Sequence, residues 1–279
     1  MNRAQCLDLL HDTSRGYMQQ QQKTIIVFSK PPEVNASGEM AAVNEFGQPV
    51  GSAVEDWKPR PFPAHTTILG RYCQLEPLKA ALHAKDFWDA LSDDPKGAGW
   101  TYMLNGPFAT FSDFEKYCLS TEQPRQPQIY AIVVDGHTVG MIAYMRLDPS
   151  NGVAEVGRIY YTSRLSKTPA AAEAMYLLAA NAFKLGYRRY EWKCDSCNLP
   201  SRNAATRYGF TYEGLFRQAT VYKGRTRDTT WFSIIDSDWN GGLKDAFERW
   251  LEPSNFDEDG QQTLKLSELT APFVLAKSL

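Results

Sequence analysis

Two periodicities alternate along the middle of the chain, and irregular stretches flank them. The first sustained extended run is Thr67 to Leu75. Glu76-Pro77 then opens a segment in which Leu78, Ala81, Leu82, Phe87 and Leu91 fall roughly on one stripe, predicting a strand followed by an amphipathic helix. A capping box from Ser112 to Glu115 predicts a second helix reaching about Thr121. The loop between the two helices carries Trp100, Tyr102, Phe108 and Phe111. Apolar runs from Gln128 to Val134 and Thr138 to Arg146 flank Asp135-Gly136, a dipeptide suited to a tight hairpin. A strand from Val153 to Thr162, a helix from Pro169 to Leu185 and a strand from Arg188 to Cys194 come next. From Asn198 to Trp239 the pattern reads helix, strand, Lys223-Gly224 turn and strand, and a last helix spans Leu243 to Leu251.

The ends read differently. Residues 1 to about 60 have little periodicity, and Pro59-Arg60-Pro61-Phe62-Pro63 blocks regular structure. Phe46, Val50 and Trp57 make residues 44 to 63 too apolar for a pure linker, so this part is expected to pack and residues 1 to 22 to be mobile. The predicted organisation is an extension over 1–63, a domain over 64–251 and a Pro/Asn/Asp-rich tail over 252–279.

Composition narrows the function. The 279 residues include 30 basic and 32 acidic side chains, a net charge of -2, which gives no electrostatic footprint for nucleic acid or an anionic membrane. The apolar run Thr24 to Phe28 is too short for a signal core or a membrane span, so a cytoplasmic location is expected. Cys6, Cys73, Cys118, Cys194 and Cys197 do not form a secreted disulfide framework. Cys194 and Cys197 have zinc or redox spacing, but no second C-x-x-C and no downstream His completes a tetrahedral site. Alone, these features describe a mixed α/β domain.

The run from Asn198 to Trp239 says more. Asn198-Leu199-Pro200-Ser201, a short helix to Gly209-Phe210, Glu213-Gly214-Leu215-Phe216-Arg217, a Lys-Gly turn, Asp228 and a strand ending near Asp238-Trp239 occur in order. This pattern resembles the Gcn5-related N-acetyltransferase superfamily, in the branch that includes ribosomal-protein N-terminal acetyltransferases. The resemblance covers roughly residues 67 to 250. It implies an α/β fold with a central mixed, mostly antiparallel sheet, splayed at its centre and flanked by helices. It also implies acetyl-CoA as co-substrate, no metal, and an amine acceptor of open identity: a small molecule, a peptide N-terminus or a Lys side chain. Direct attack in a ternary complex is the implied mechanism. No nucleic-acid or membrane partner is expected, and the chain is expected to be a monomer or homodimer.

In such proteins the cofactor lies between the fourth and fifth strands with its pyrophosphate on the next helix start, where free N–H groups and the helix dipole hold anions. That start would be Thr168 as N-cap and Pro169 at N1, with the amides of Ala170, Ala171 and Ala172 as donors and Arg164 and Lys167 as cations. The usual Q/R-x-x-G-x-G/A loop is here Ser166 to Ala171, without its two glycines. By the same resemblance Arg158, Ile159 and Tyr160 would run beside the pantetheine arm, with Gly157 permitting a bulge or a close approach. Glu155 is the candidate base, with a structural carboxylate paired to an Arg as the other reading. Asn198 would contact the arm, and Ser201 would cap the helix or hydrogen-bond the leaving thiolate. Where many relatives carry a Tyr general acid this chain has Ala205, and Thr220 stands where ribosomal-type relatives add an acidic residue. Tyr160, Tyr161, Tyr208 and Glu213 are the alternatives. The altered loop also fits a non-catalytic binding protein of the same fold.

Overall fold

A computed structural model describes residues 42–122 and 125–274. The run Thr24 to Phe28, the segment 1–22 and Cys6 lie outside the described residues. The chain divides into a unit ending at Trp57 and another beginning at Lys58. In the first, β1 (Ala42–Val43) pairs antiparallel with β2 (Pro49–Val50). Their turn is held by Asn44, whose Oδ1 accepts from the N–H groups of Phe46 and Gln48.

The second unit is built on an eight-stranded sheet. Its strands are β3 (Ile68–Leu69), β4 (Gln74–Pro77), β5 (Gln128–Val134), β6 (His137–Asp148), β7 (Val153–Tyr161), β8 (Arg189–Asp195), β9 (Thr211–Tyr222) and β10 (Arg225–Ile235). They lie in the order β3-β4-β5-β6-β7-β8-β10-β9, and only β7 and β8 run parallel. A parallel step needs a crossover, and α3 (Pro169–Lys184) supplies it. The sheet is therefore mixed, mostly antiparallel and helix-flanked, as expected from the sequence.

Alternation assigns each strand side chain to one of two cores. On β5, Tyr130 and Ile132 join a cluster with Met175, Leu178 and Ala182 of α3, whereas Ile129, Ala131 and Val133 face Phe87, Trp100 and Phe114. Because both faces are covered, nearly every β5 position is buried and the strand reads as a continuous apolar run. The first face also holds α4 (Leu199–Arg207), α6 (Lys244–Trp250) and α7 (Leu266–Thr270), which bury Ala205, Phe247, Trp250 and Leu266. The single turn α5 (Asp236–Asp238) precedes α6. The second face holds α1 (Lys85–Ala90) and α2 (Phe111–Ser120). Each fully buried Leu, Phe or Met contributes about 1.5–3 kcal/mol relative to exposure.

Several local expectations are corrected. The run Thr67 to Leu75 is a tight hairpin of β3 and β4, because the amides of Arg71, Tyr72 and Cys73 all donate to the buried Glu173 carboxylate of α3 at 2.6–2.8 Å. Pro77 ends β4 instead of opening a helix, which starts only at Ala80 as a π turn. The stripe accordingly shifts, and Leu82 is exposed. Thr110, not Ser112, caps α2: its Oγ1 accepts from the Asp113 N–H at 3.2 Å. Beyond α6, Asn255 donates to Trp250 O at 2.9 Å and accepts from the Leu264 N–H at 2.7 Å, so the segment up to α7 is hydrogen-bonded to the domain.

Candidate active site

Pairing between the parallel strands β7 and β8 runs from Val153 opposite Arg189 to Val156 opposite Trp192 and then stops. A bulge on β7 explains the break. Met141 of β6 faces Tyr160 and Ala143 faces Gly157, so β7 has an extra residue over this interval. Arg158 takes the kink with φ 48°, a left-handed value uncommon for a side-chain-bearing residue. Of the two roles expected of Gly157, a bulge or a close approach, the close approach is to Met145, whose Sδ a Cβ at 157 would strike.

The strands diverge around a cleft of about 370 Å³. One side is formed by Ile159 and Tyr161 of β7 with Asn198, Ser201, Ala204 and Tyr208 around α4. This side adjoins the core under α3, where the Tyr161 hydroxyl donates to Ala171 O at 3.1 Å. The opposite side is formed by the loop Gly99 to Asn105, Met145 and Arg158, next to the α1/α2 core. Lys193, Cys194 and Asp195 of β8 and Arg227 of β10 complete the lining. Two hydrogen bonds join the rim: Lys223 Nζ donates to Trp100 O at 2.7 Å, and the Tyr102 hydroxyl donates to Cys197 O at 3.2 Å.

Charge in the cleft is organised around Glu155. Its Oε2 accepts from Lys193 Nζ at 2.8 Å and lies 3.6 Å from Arg146 Nε. Lys193 also reaches Glu191 at 2.7 Å and sits 3.7 Å from the centre of the Trp231 ring. Arg189 bridges Glu191 to Glu213. The two buried carboxylates titrate in opposite directions. Burial pushes Glu155 above the ordinary carboxylate range despite the opposing pull of Lys193 and Arg146. Burial also acts to raise Glu191, but hydrogen bonds from Lys193 and Arg189 outweigh it and hold that carboxyl low.

Of the residues singled out from sequence, the cleft gathers Glu155, Arg158, Ile159, Asn198 and Ser201, with the alternatives Tyr161 and Tyr208. Asn198 is the N-cap of α4, its Oδ1 accepting from the Ser201 N–H at 3.1 Å, so the capping expected of Ser201 belongs to Asn198. Ser201 Oγ accepts from Trp192 Nε1 at 3.1 Å. Tyr160 points away from the cleft, stacked on Trp100 at 4.5 Å with its hydroxyl 3.2 Å from Asp94. Thr168 caps α3, and its Oγ1 occupies the Ala171 N–H at 3.4 Å. Ala170, Ala172 and Lys167 lie at the same helix start, outside the cleft lining, and Arg164 pairs with Asp93 at 3.8 Å beside a separate cavity. Glu213 is engaged by Arg189 and by the Ser233 hydroxyl.

Sequence reading missed Lys193, Asp195, Asn105 and Arg227. The available signal for Lys193 was the alternation along β8, which sets Arg189, Glu191, Lys193 and Asp195 against Tyr190, Trp192 and Cys194. Among the described residues no group of three or more His, Cys, Asp or Glu could hold a metal, and no helix is long and apolar enough to cross a membrane. Cys194 is buried, with Sγ 3.1 Å from Thr230 Oγ1, while Cys197 is exposed.

Comparison with known proteins gives consistent matches. The family described as Acetyltransferase (GNAT) domain matches residues 74–211. A GCN5-related N-acetyltransferase from Brucella melitensis is 43% identical, and the alignment covers 78% of this chain and 100% of that one with a TM-score of 0.76. A probable GNAT-family acetyltransferase from Chromobacterium violaceum is 32% identical, with coverage of 69% and 98% and a TM-score of 0.65. The ribosomal-protein-serine acetyltransferase of Escherichia coli is 28% identical over 111 residues, which are 39% of this chain and 62% of that protein. The chain thus spans less than two thirds of the curated relatives it matches.

Proposed function

The chain belongs to the GCN5-related N-acetyltransferase family, and we propose that it uses acetyl-CoA to acetylate a primary amine by direct attack in a ternary complex. The observation that carries this reading is the cleft opened by the bulge at Arg158, lined on one side by residues around α4 and on the other by the Gly99 to Asn105 loop. Two reactants can meet there from opposite faces of one sheet, which removes much of the entropic barrier to their reaction.

The residues present fit an extended amide-bearing arm between the diverging strands. Past Val156 and Trp192, β7 and β8 no longer pair with each other, so their facing backbone groups are open to an inserted chain. The helix start is a poorer phosphate seat than in related loops, since Pro169 has no N–H and the Ala171 N–H is committed to Thr168. When bound, acetyl-CoA would supply an activated acetyl thioester. Glu155 would receive the acceptor's proton at its carboxylate, a task favoured by the burial that raises its affinity for protons. Lys193 and Arg146 would hold that carboxylate in place. Backbone N–H groups of the bulged strand would donate to a carbonyl oxygen on which negative charge develops. Ser201 accepts from Trp192 and so retains its own hydrogen for donation into the cleft.

The acceptor is proposed to be a peptide N-terminus or a small amine, the former suggested by the name of the ribosomal-protein-serine relative. The test is transfer from radiolabelled acetyl-CoA to a panel of peptides and small amines, beside thermal-shift titration with CoA. Midpoint elevation by CoA and label on an amine are expected. A protein that neither binds CoA nor labels any member of a broad panel would contradict the proposal.

A further inference from the structure

In and beside this cleft the cations are not equally compensated. Lys193, Arg146 and Arg189 each face a carboxylate. Arg158 does not: its Nη1 contacts only neutral oxygens, Asn105 Oδ1 at 3.3 Å and the Tyr117 hydroxyl at 3.0 Å. Its Nε is buried without a hydrogen-bond partner. Among the described residues no carboxylate is within ion-pair distance of it. Arg227, lining the same cleft, also has a buried Nε without a partner.

A half-buried guanidinium that lacks both a counter-ion and a full set of acceptors is costly to maintain. Arg158 bears a second cost, a left-handed backbone at the bulge, of the kind that persists where surrounding structure holds a functional group in place. Asn105 and Tyr117 engage both hydrogens of Nη1 and fix the plane of the guanidinium without neutralising it, which leaves Nη2 to donate to an anion. Its contacts with the Gly99 to Asn105 loop and with α2 put it on the side of the cleft away from α3 and α4.

We propose that Arg158, assisted by Arg227, is an acceptor-specificity element: the amine acetylated by this protein carries a carboxylate close to its amino group, and Arg158 binds that carboxylate. Small amino acids and peptide ends with an acidic side chain both present this chemistry. The inference rests on the acetyltransferase reading of the cleft.

Matched acceptors that differ by one carboxylate test it: β-alanine against β-alaninamide, and amidated Ser-Asp against amidated Ser-Asn. With wild-type protein the carboxylated member of at least one pair should show kcat/KM higher by roughly tenfold or more, the scale of a charge-assisted hydrogen bond. Arg158→Gln should abolish that preference through acceptor KM, and Arg158→Lys should restore part of it. Asn105→Ala, which leaves the strand intact, should give an intermediate loss. Calorimetric titration of the same pairs in the presence of CoA reads the preference without turnover. Arg158-dependent binding of carboxylates with no transfer would sink the activity and keep Arg158 as a carboxylate site, and transfer without carboxylate preference would do the reverse. Equal or undetectable binding of both members, a preference that survives Arg158→Gln, or a rise in the KM of acetyl-CoA instead of the acceptor would overturn it. In the last case the anion is a phosphate of the nucleotide.

Discussion

Glu155 and Glu191 lie side by side on parallel strands, share Lys193, and shift in opposite directions. If Glu155 takes the acceptor's proton, Glu155→Gln should lower kcat by roughly 10²–10⁴-fold while CoA affinity, read by thermal shift, stays near that of the wild type. The carboxylate must be ionised to act, so activity should fall as pH drops through the raised Glu155 value. A kcat/KM profile should then place its acid limb above the ordinary Glu range of about 4.3. Glu191 obeys the other sign. Its folded value is depressed, so its stabilisation is present above the unfolded value and lost as pH falls through the folded one. Glu191→Gln should cost about 1–3 kcal/mol in urea denaturation at pH 7, and the difference from wild type should close toward pH 3. Glu155 was legible as candidate chemistry from its strand. Its partner Lys193 was not, because 38 positions separate the two and only the crossover through α3 brings them together.

Element boundaries test how local signals are decided. The capping box expected at Ser112 falls inside α2, and the hydroxyl that accepts a helix N–H is that of Thr110. Thr110→Ala should therefore destabilise by about 1 kcal/mol in denaturant titration, with Ser112→Ala near neutral. On α4, Asn198→Ala should cost a similar amount and Asn198→Asp little, since a carboxylate can still accept the Ser201 N–H. The Pro77 expectation failed for a tertiary reason. Pairing of β4 with β5 runs through Pro77 opposite Tyr130, which holds the chain extended past the point where Glu-Pro would otherwise open a helix. The long, strongly patterned elements β5, β6, β7 and α3 were readable because alternation or periodicity ran through many residues.

On the scale of the second unit, the segment after α6 is packed into the core that supports α4. Leu266 is fully buried there, and Thr270 donates to Arg207 O at 3.0 Å. Leu266→Ala should cost about 2–5 kcal/mol. For a protein of this size that corresponds to a fall in Tm of roughly 2–4 °C per kcal/mol, measurable by calorimetry. Arg207 ends α4, so the same substitution should loosen the helix that lines one side of the cleft, and CoA affinity should weaken with it.

The sequence by itself determined the order of strands and helices from β5 to β10, the hairpin at Asp135-Gly136, the Thr168 helix start and the family resemblance, because each is written in neighbouring residues. Tertiary structure decided the rest. The bulge at Arg158 arises from the register of β7 against β6, and the cleft opens where β7 parts from β8. Tyr160 was turned into the aromatic core because the extra residue resets the alternation that follows it. The pairing of Glu155 with Lys193 and the isolation of the Arg158 charge depend on which distant side chains the folded sheet brings within reach. Electrostatic partnership is set by distance in space, and local sequence pattern does not encode it.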